Sequence, residues 1–133
     1  MSGSAGLIDT SVVIASESGR GVDLDRMPDQ LYVSVITIAE LQAGVLVAND
    51  TATRARRLAT LDSLAFLEPL HVDVTAAAEW AYLRARLAEE KRRVNVNDTW
   101  IAAIAAANEL PVVTQDGDYE VLRAVGGPAV VLV

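Results

Sequence analysis

Short runs of mostly apolar residues alternate with longer segments of helical periodicity, and this alternation limits the possible folds more than any other feature. The runs are Gly6–Ile8, Leu31–Ser34, Pro111–Thr114 and Ala129–Val133, with a fifth short one within Leu67–Val72. Strands without a polar face are typical of a parallel sheet that helices cover on both sides. The sequence therefore predicts an α/β fold of three layers, α/β/α, with a short, mostly parallel sheet of about five strands.

Helices are predicted in the segments between these strands, over approximately residues 11–15, 37–47, 53–64, 76–92, 97–108 and 119–124. Residues 16–30, rich in Gly, Ser and Asp, predict a loop with one helical turn. Three of the helices follow residues whose side chains can accept a hydrogen bond from the first turn: Thr10 or Ser11 for the first, Thr75 for the fourth and Asn95 or Asn97 for the fifth.

The composition fits a single domain over residues 1–133. Hydrophobic residues make up 52% of the chain and charged residues 22%, which excludes intrinsic disorder. The absence of cysteine excludes a disulfide-stapled fold, a thiol nucleophile and cysteine-ligated zinc. The start, Met1–Ala5, lacks the features of a signal peptide, and the longest apolar run, Trp100–Ala107, is too short to cross a bilayer. We therefore expect a cytoplasmic protein with no membrane partner.

Charge is distributed unevenly along the chain, whose net charge is −7. Residues 54–93 include eight basic and six acidic side chains, whereas the rest of the chain has three basic and twelve acidic ones. An acidic protein is not a general nucleic-acid binder, because binding requires cations that displace counterions. The basic middle of the chain has two interpretations: solvated helix faces, or a local surface for an anionic partner.

Acidic residues follow two of the predicted strands. Asp9 comes after the first strand, and Asp116 and Asp118 come after the strand at 111–114. Ligands of open parallel sheets bind beyond the carboxyl ends of the strands, so these carboxylates are expected at one edge of the sheet. Each acid also has an ordinary explanation, because aspartate commonly precedes helices and occupies turns.

Two helices carry further acids. Asp98 lies in the first turn of a helix that is apolar over 100–107 and therefore buried, which places its amino end against the sheet edge. Taken alone, Asp98 is better explained by the attraction between an acid and a helix amino terminus. Glu40 shares a narrow polar stripe with Thr37 and Gly44, and this stripe faces either water or a cleft.

Convergence of these acids would point to a metal ion. Two carboxylates about 4 Å apart repel each other by roughly 4 kcal/mol at an effective dielectric constant near 20. Mg²⁺ or Mn²⁺ removes this repulsion and favours oxygen ligands. Ions held by carboxylates cut phosphodiesters by activating water and stabilising the attacking and leaving oxygens. A meeting of Asp9, Glu40, Asp98 and Asp116 would therefore predict metal-dependent phosphodiester hydrolysis.

Four segments, in this order, each carry one of these acids: Leu7-Ile8-Asp9-Thr10-Ser11, Ser34-Val35-Ile36-Thr37-Ile38-Ala39-Glu40-Leu41-Gln42-Ala43-Gly44, Asn97-Asp98-Thr99-Trp100-Ile101-Ala102-Ala103 and Thr114-Gln115-Asp116-Gly117-Asp118-Tyr119. They resemble the four motifs of PIN-domain ribonucleases, and their order and spacing are similar to those of VapC toxins of bacterial type II toxin–antitoxin modules. The resemblance implies a PIN-like fold over the whole chain. It also implies a Mg²⁺- or Mn²⁺-dependent endoribonuclease that cleaves a structured RNA of the tRNA or rRNA class.

The resemblance further implies partners and roles. The protein would form a homodimer, and the C-terminal segment of a VapB antitoxin would block the site, for which the helices at 37–47 and 53–64 would provide an apolar groove. Asp9 and Asp98 would be the primary metal ligands. Glu40 and Asp116 would bind through water, orient the nucleophile or hold a second ion. The supporting residues would be Thr10, Asn97, Thr114 and Asp118, the last as an outer neighbour of Asp116.

Two features depart from the family pattern. Met1–Ala5 precedes the first strand, as a genuine extension or a cloning remnant, and Tyr119 stands where the family more often has Phe. The candidate RNA contacts near the rim of the acidic site are Arg84, Arg86, Arg92 and Arg93. Trp80 and Trp100 can stack on bases, although core packing is favoured for both.

Other functions make different demands on the sequence. A receiver-like signalling domain needs paired acids after the first strand and a lysine after a late strand, whereas this chain has Asp9 alone and a single lysine, Lys91. A catalytically silent PIN fold that serves as a binding module would lack one or more of the four acids. A Ser-His-Asp mechanism would have to use His71, for which a structural role in a strand is favoured.

Overall fold

The computed structural model describes residues 3–133, so Met1 and Ser2 of the predicted extension lie outside the described residues. The strands are β1 (Ala5–Ile8), β2 (Gln30–Tyr32), β3 (Val112–Thr114) and β4 (Val130–Leu132). The helices are α1 (Thr10–Glu17), α2 (Val35–Leu46), α3 (Thr51–Ser63), α4 (Val74–Glu89), α5 (Val96–Ala107) and α6 (Tyr119–Ala124). The predicted loop at 16–30 contains one turn of 3₁₀ helix, Leu24–Arg26.

The strands form a parallel sheet in the order β2-β1-β3-β4. Successive residues of a strand point to opposite faces, and the core divides accordingly. Leu7 and Val112 pack with α4, α5 and α6 on one face, whereas Ile8 and Val113 pack with α1 and α2 on the other. The predicted α/β/α layering is confirmed, and every carboxyl end of a strand lies at the same edge.

The prediction of about five strands is wrong, because the sheet has four within residues 3–133. The segment expected to form the fifth strand makes one isolated parallel bridge, between Ser34 and Leu70. Leu70 donates to the Val33 carbonyl and accepts from the Val35 amide, both at 2.9 Å. Pro69, next to it, has no amide hydrogen to give to a neighbouring strand, so pairing does not extend in that direction.

Two of the predicted helix starts are also wrong. Asp73 rather than Thr75 caps α4, because its Oδ1 accepts from the Ala76 amide at 2.8 Å. At α1 the capping position is Asp9 rather than Thr10 or Ser11, and the Asp9 side chain makes no capping hydrogen bond. The prediction for α5 is confirmed at Asn95, whose Oδ1 accepts from two amides of the first turn.

Helices α4 and α5 end in the same motif, with a left-handed residue that is not glycine. Lys91 has φ +54° and Glu109 has φ +56°. After α4, the Arg92 amide donates to the Leu87 carbonyl at 2.9 Å, and the Lys91 amide donates to that of Ala88 at 3.1 Å. This is the Schellman arrangement, in which glycine is the usual left-handed residue because a side chain there costs on the order of 1 kcal/mol.

Candidate active site

Asp9 lies at the carboxyl end of β1, where it is buried with 3% of its surface exposed. Its amide extends the sheet by donating to the Val113 carbonyl at 3.0 Å. Its Oδ1 accepts from the Ser11 hydroxyl at 2.6 Å. Burial raises the pKa of Asp9 above its usual value, and the nearby charge of Asp116 adds to the rise. The side chain is thus held in place by α1 without capping it.

Asp98 enters the same region from the first turn of α5. The helix is buried over Ile101–Ala105, so its amino end is fixed against the edge of the sheet. The half-buried Asp98 accepts from the Tyr119 hydroxyl at 3.2 Å. Burial is the largest cause that raises the pKa of Asp98 to about 6, and the charges of the other three acids contribute. The same surroundings raise the pKa of Tyr119, chiefly through burial.

Asp116 and Asp118 lie in the turn after β3. The Asp116 amide donates to the buried Thr114 hydroxyl at 2.8 Å, and the Asp118 amide donates to Asp116 Oδ1 at 2.9 Å. One carboxylate oxygen from each of Asp98, Asp116 and Asp118 lies within 4.8 Å of the others. Asp118 therefore lies nearer to Asp98 than its predicted role as an outer neighbour implied.

Glu40 faces a cleft rather than open water, which decides between the two interpretations of its polar stripe. The Thr10 hydroxyl donates to Glu40 Oε1 at 2.6 Å, and Thr10 also contacts the Thr37 hydroxyl at 3.1 Å. Asn97 Nδ2 makes a longer contact of 3.4 Å with Glu40 Oε2. Glu40 and Gly44 line a cavity of about 250 Å³ between α1, α2 and α3.

The four predicted acids thus lie in one region at the edge of the sheet. Asp98 and Asp116 share the close group of oxygens, Ser11 joins Asp9 to the loop of Asp116, and Glu40 contacts the residue before Asp98. Asp9, Glu40 and Asp116 all raise the pKa of Asp98, as expected for carboxylates whose charges face one another. The carboxylates and hydroxyls of this region offer oxygen ligands, and no basic side chain makes a hydrogen bond to the four carboxylates within residues 3–133. This donor set fits a hard divalent cation, and Asp98, Asp116 and Asp118 offer the closest group of oxygens.

Two supporting residues were not singled out from the sequence. The Ser11 hydroxyl donates to Asp9, lies 3.3 Å from the Thr114 hydroxyl and accepts from the Gln115 amide at 3.0 Å. Ser11 therefore joins α1 to the loop after β3. Tyr119 was noted only as a departure from the family pattern, although its hydroxyl contacts Asp98. The position of Ser11 two residues after Asp9 was the available sequence signal.

The four arginines predicted to contact RNA do not share one surface. Arg84, Arg92 and Arg93 line a cavity of about 630 Å³ between α4 and α5. Arg86 does not line it and is paired along α4 with Glu89 and Glu90, at 3.8 and 3.4 Å. We therefore separate Arg86 from the other three.

Trp80, Trp100 and His71 are the remaining residues for which the sequence predicted a position. Trp80 and Trp100 stack on each other, with ring centroids 4.8 Å apart, and both are half-buried against the core of α4 and α5. Core packing is therefore confirmed for both. His71 is exposed and lies outside the strands, so its predicted place in a strand is wrong.

An apolar cavity lies between α1 and α3, which are not the two helices for which an apolar groove was predicted. A cavity of about 490 Å³ is lined by apolar residues of α1, β2 and the loop between them and by one face of α3, and α2 does not contribute to it. Its apolar lining residues are Ile8, Val12, Val13, Val22, Met27, Leu31, Ala59 and Leu64.

None of the described helices is long and apolar enough to cross a membrane.

Comparisons with known proteins agree with this architecture. The model of the PIN domain family matches residues 6–125. Ribonuclease VapC5 of Mycobacterium tuberculosis is 56% identical over 118 residues, which are 89% of this chain and 87% of that protein. Ribonuclease VapC4 of the same organism is 44% identical over 114 residues, 85% of this chain and 87% of that protein.

A solved structure is also similar over nearly the whole chain. The crystal structure of VapBC-5, a member of the VapBC family of toxin–antitoxin systems from Mycobacterium tuberculosis, matches with a TM-score of 0.87 and 49% identity. The match covers 98% of this chain and 98% of that one. The chain therefore belongs to the PIN domain family, and within it to the VapC proteins.

Proposed function

We propose that this protein is the toxin of a type II toxin–antitoxin system and acts as a metal-dependent endoribonuclease. The observation that carries the proposal is the meeting of Asp9, Glu40, Asp98 and Asp116, from four separate elements, in one region. Relatives named ribonuclease VapC, at 56% and 44% identity, support the same activity. The substrate class that we propose is a structured RNA of the tRNA or rRNA type.

The residues of the site have distinct roles in this proposal. Asp9 and Asp98 would hold Mg²⁺ or Mn²⁺, and Asp116 would complete the site with Asp118 beside it. When bound, such an ion activates water and offsets the charge that develops on the phosphate. Glu40 lies to one side, held by Thr10 and Asn97, where it can orient a water molecule.

Ser11 and Thr114 keep this arrangement rigid. The Thr114 hydroxyl accepts from the Asp116 amide and lies beside Ser11, which in turn donates to Asp9. Such supporting hydrogen bonds fix the direction of carboxylates that would otherwise move apart. We propose that Tyr119 does the same for Asp98, with its hydroxyl as the donor.

The partners follow from the same assignment. We propose a VapB-type antitoxin as the cognate partner, because the matched solved structure is described as a member of the VapBC family of toxin–antitoxin systems. The apolar cavity between α1 and α3, next to the site at Ile8, is a suitable surface for an apolar peptide segment. A homodimer and a cytoplasmic location complete the proposal.

Cleavage of purified RNA tests this function. The protein is incubated with total cellular RNA in Mg²⁺, in Mn²⁺ or in EDTA, and the products are separated on denaturing gels. We expect discrete fragments with either ion and none in EDTA. Asp98→Asn should abolish cleavage while the urea unfolding transition remains cooperative. The control is Asp62→Asn, which removes an exposed carboxylate of α3 and should cleave like wild type.

Two results would contradict the proposal. Full activity of Asp98→Asn would remove the carboxylate mechanism. A folded wild-type protein without activity in either ion would favour the catalytically silent binding module, the alternative that family membership leaves open. The receiver-like alternative is removed by the family assignment itself. Mapping of cleaved RNA ends in cells after induction, with wild type beside Asp98→Asn, would then identify the substrate.

A further inference from the structure

The cavity between α4 and α5 is cationic in a chain that is acidic as a whole. Four basic residues line it, Arg84 on α4 and Lys91, Arg92 and Arg93 in the turn after it, and no acidic residue does. The net charge of the chain is −7. The volume of the cavity, about 630 Å³, lies within the usual range of pockets for small ligands.

The inner wall of this cavity is apolar and includes an aromatic ring. Trp80, Leu87 and Val94 line it together with Val96 of α5. The indole Nε1 of Trp80 is buried and has no hydrogen-bond partner among residues 3–133. Buried donors without a partner are uncommon in folded proteins, and this one belongs to a residue that lines the cavity. An apolar wall below a cationic rim matches the two parts of a nucleotide, its base and its phosphate.

The turn that supplies three of the cations keeps a residue that lowers stability. Lys91 occupies the left-handed position of the Schellman motif, with φ +54°, where glycine would avoid the steric cost of a side chain. Lys91 lines the cavity, and its two successors in the sequence do so as well.

The cavity also adjoins the carboxylate site. Thr99 lines the cavity, and its neighbour Asp98 belongs to the acidic group. Both lie in the first turns of α5, on different faces of the helix. A polymer that reaches Asp98 from this side would pass the cavity.

We propose that this cavity binds one nucleotide of the RNA beside the scissile bond, with the phosphate on the basic rim and the base against the apolar wall. The inference rests on the proposed ribonuclease function, since it names how the substrate of that site is held. It assigns the four basic residues of the rim to substrate binding, Arg84, Lys91, Arg92 and Arg93, and leaves Arg86 out.

Binding of a short, fluorescein-labelled single-stranded RNA tests this assignment. Anisotropy is measured in EDTA, so that binding is observed without cleavage. Arg84→Gln and Arg93→Gln should each weaken binding by about ten-fold. Each should also reduce the slope of log K against log salt by about 0.7, the value for one lost contact with a single strand. Arg86→Gln is the matched control on the same helix and should change the affinity less than about two-fold.

Lys91→Gly provides a second test, because it should act in opposite directions on stability and on binding. It removes the left-handed side chain, so the urea midpoint should rise, while RNA affinity should fall. Glu109→Gly is the matched control, since Glu109 occupies the same position after α5 and lies away from the cavity. It should raise the midpoint and leave RNA affinity unchanged.

The outcomes separate this inference from the proposed function. Wild-type affinity in Arg84→Gln, Arg93→Gln and Lys91→Gly would overturn the cavity assignment, even if RNA cleavage is observed. Unchanged affinity together with loss of the dimer in sedimentation would overturn it too and would assign the cavity to a second copy of the chain. Loss of affinity in these variants, in a wild-type protein that cleaves no RNA, would support the cavity and refute the ribonuclease.

Discussion

Replacement of Asp98 by asparagine should stabilise the metal-free protein at neutral pH. Asp98 lies half-buried among three other carboxylates, and the Tyr119 hydroxyl donates to its Oδ1. Asparagine has nearly the same shape and keeps an oxygen that can accept this hydrogen bond. The change therefore removes a charge without creating a cavity or an unpaired donor.

The magnitude follows from the shift in pKa. The pKa of Asp98 rises from 3.8 to about 6 on folding. One unit corresponds to about 1.4 kcal/mol, so the shift of roughly two units amounts to about 3 kcal/mol before screening. Asp98 is half-exposed, and solvent screens its interactions, so we expect a gain in the free energy of unfolding of about 1 kcal/mol.

The pH dependence has a definite sign. The folded state binds the Asp98 proton more tightly than the unfolded state does, so stability falls as pH rises from about 4 to about 6. The destabilisation by the Asp98 charge is complete above about pH 6 and absent below about pH 4. Asp98→Asn should therefore be more stable than wild type at pH 7 and equally stable at pH 4.

The assay is urea unfolding in EDTA at both pH values, followed by tryptophan fluorescence. Asp62→Asn on α3 is the control and should change the free energy of unfolding by less than about 0.5 kcal/mol. Added Mg²⁺ should stabilise wild type more than Asp98→Asn, because the stabilisation by a ligand of the folded state increases with the logarithm of its affinity. Lower stability of Asp98→Asn at pH 7 in EDTA would refute the claim that the carboxylates repel one another.

Three further substitutions test the packing of β1 and the hydrogen bonds that position the carboxylates. Gly6→Ala would place a methyl carbon 2.5 Å from a side chain of β3, and calorimetry should show a loss of about 2–3 kcal/mol; an unchanged melting temperature would contradict the tight packing of β1. Thr10→Val removes the hydroxyl that donates to Glu40 at 2.6 Å, so RNA cleavage should slow by about 10- to 100-fold while the unfolding transition stays like that of wild type. An unchanged cleavage rate would show that Glu40 does not need this hydrogen bond. Tyr119→Phe removes a hydrogen bond that lowers the pKa of Asp98, so the acidic limb of the pH–rate profile should move to higher pH, whereas a shift to lower pH would reverse the argument.

The layers of the fold were predictable because each strand is buried on both faces. Leu7 and Ile8 are adjacent in sequence and belong to opposite cores, which requires helices on both sides of β1. The fifth strand was not predictable from apolar content alone. Its segment has suitable residues, but Pro69 limits the available donors, and the segment pairs with Ser34 only through Leu70.

Three of the four acids were predictable from their positions after strands or in the first turn of a buried helix, whereas the polar stripe of Glu40 left water and a cleft as alternatives. Their supporting contacts were not, because they join residues far apart in the chain: Ser11 with Thr114, and Asp98 with Tyr119. The separation of Arg84 from Arg86 was in principle readable. Arg84 shares a helical stripe with Trp80 and Leu87, three or four residues away, and Arg86 does not.

The Thr37–Thr10–Glu40 contacts tie the movement of two helices, α1 and α2, to one carboxylate. Because Thr10 donates to Glu40, its contact with Thr37 requires the Thr37 hydroxyl to be the donor, which makes a relay from the start of α2 through α1 and back to α2. A ligand that separates α1 from α2 would break these hydrogen bonds and free the Glu40 carboxylate. Such a molecule would inactivate the site from a distance, without displacing an ion or competing for the acids.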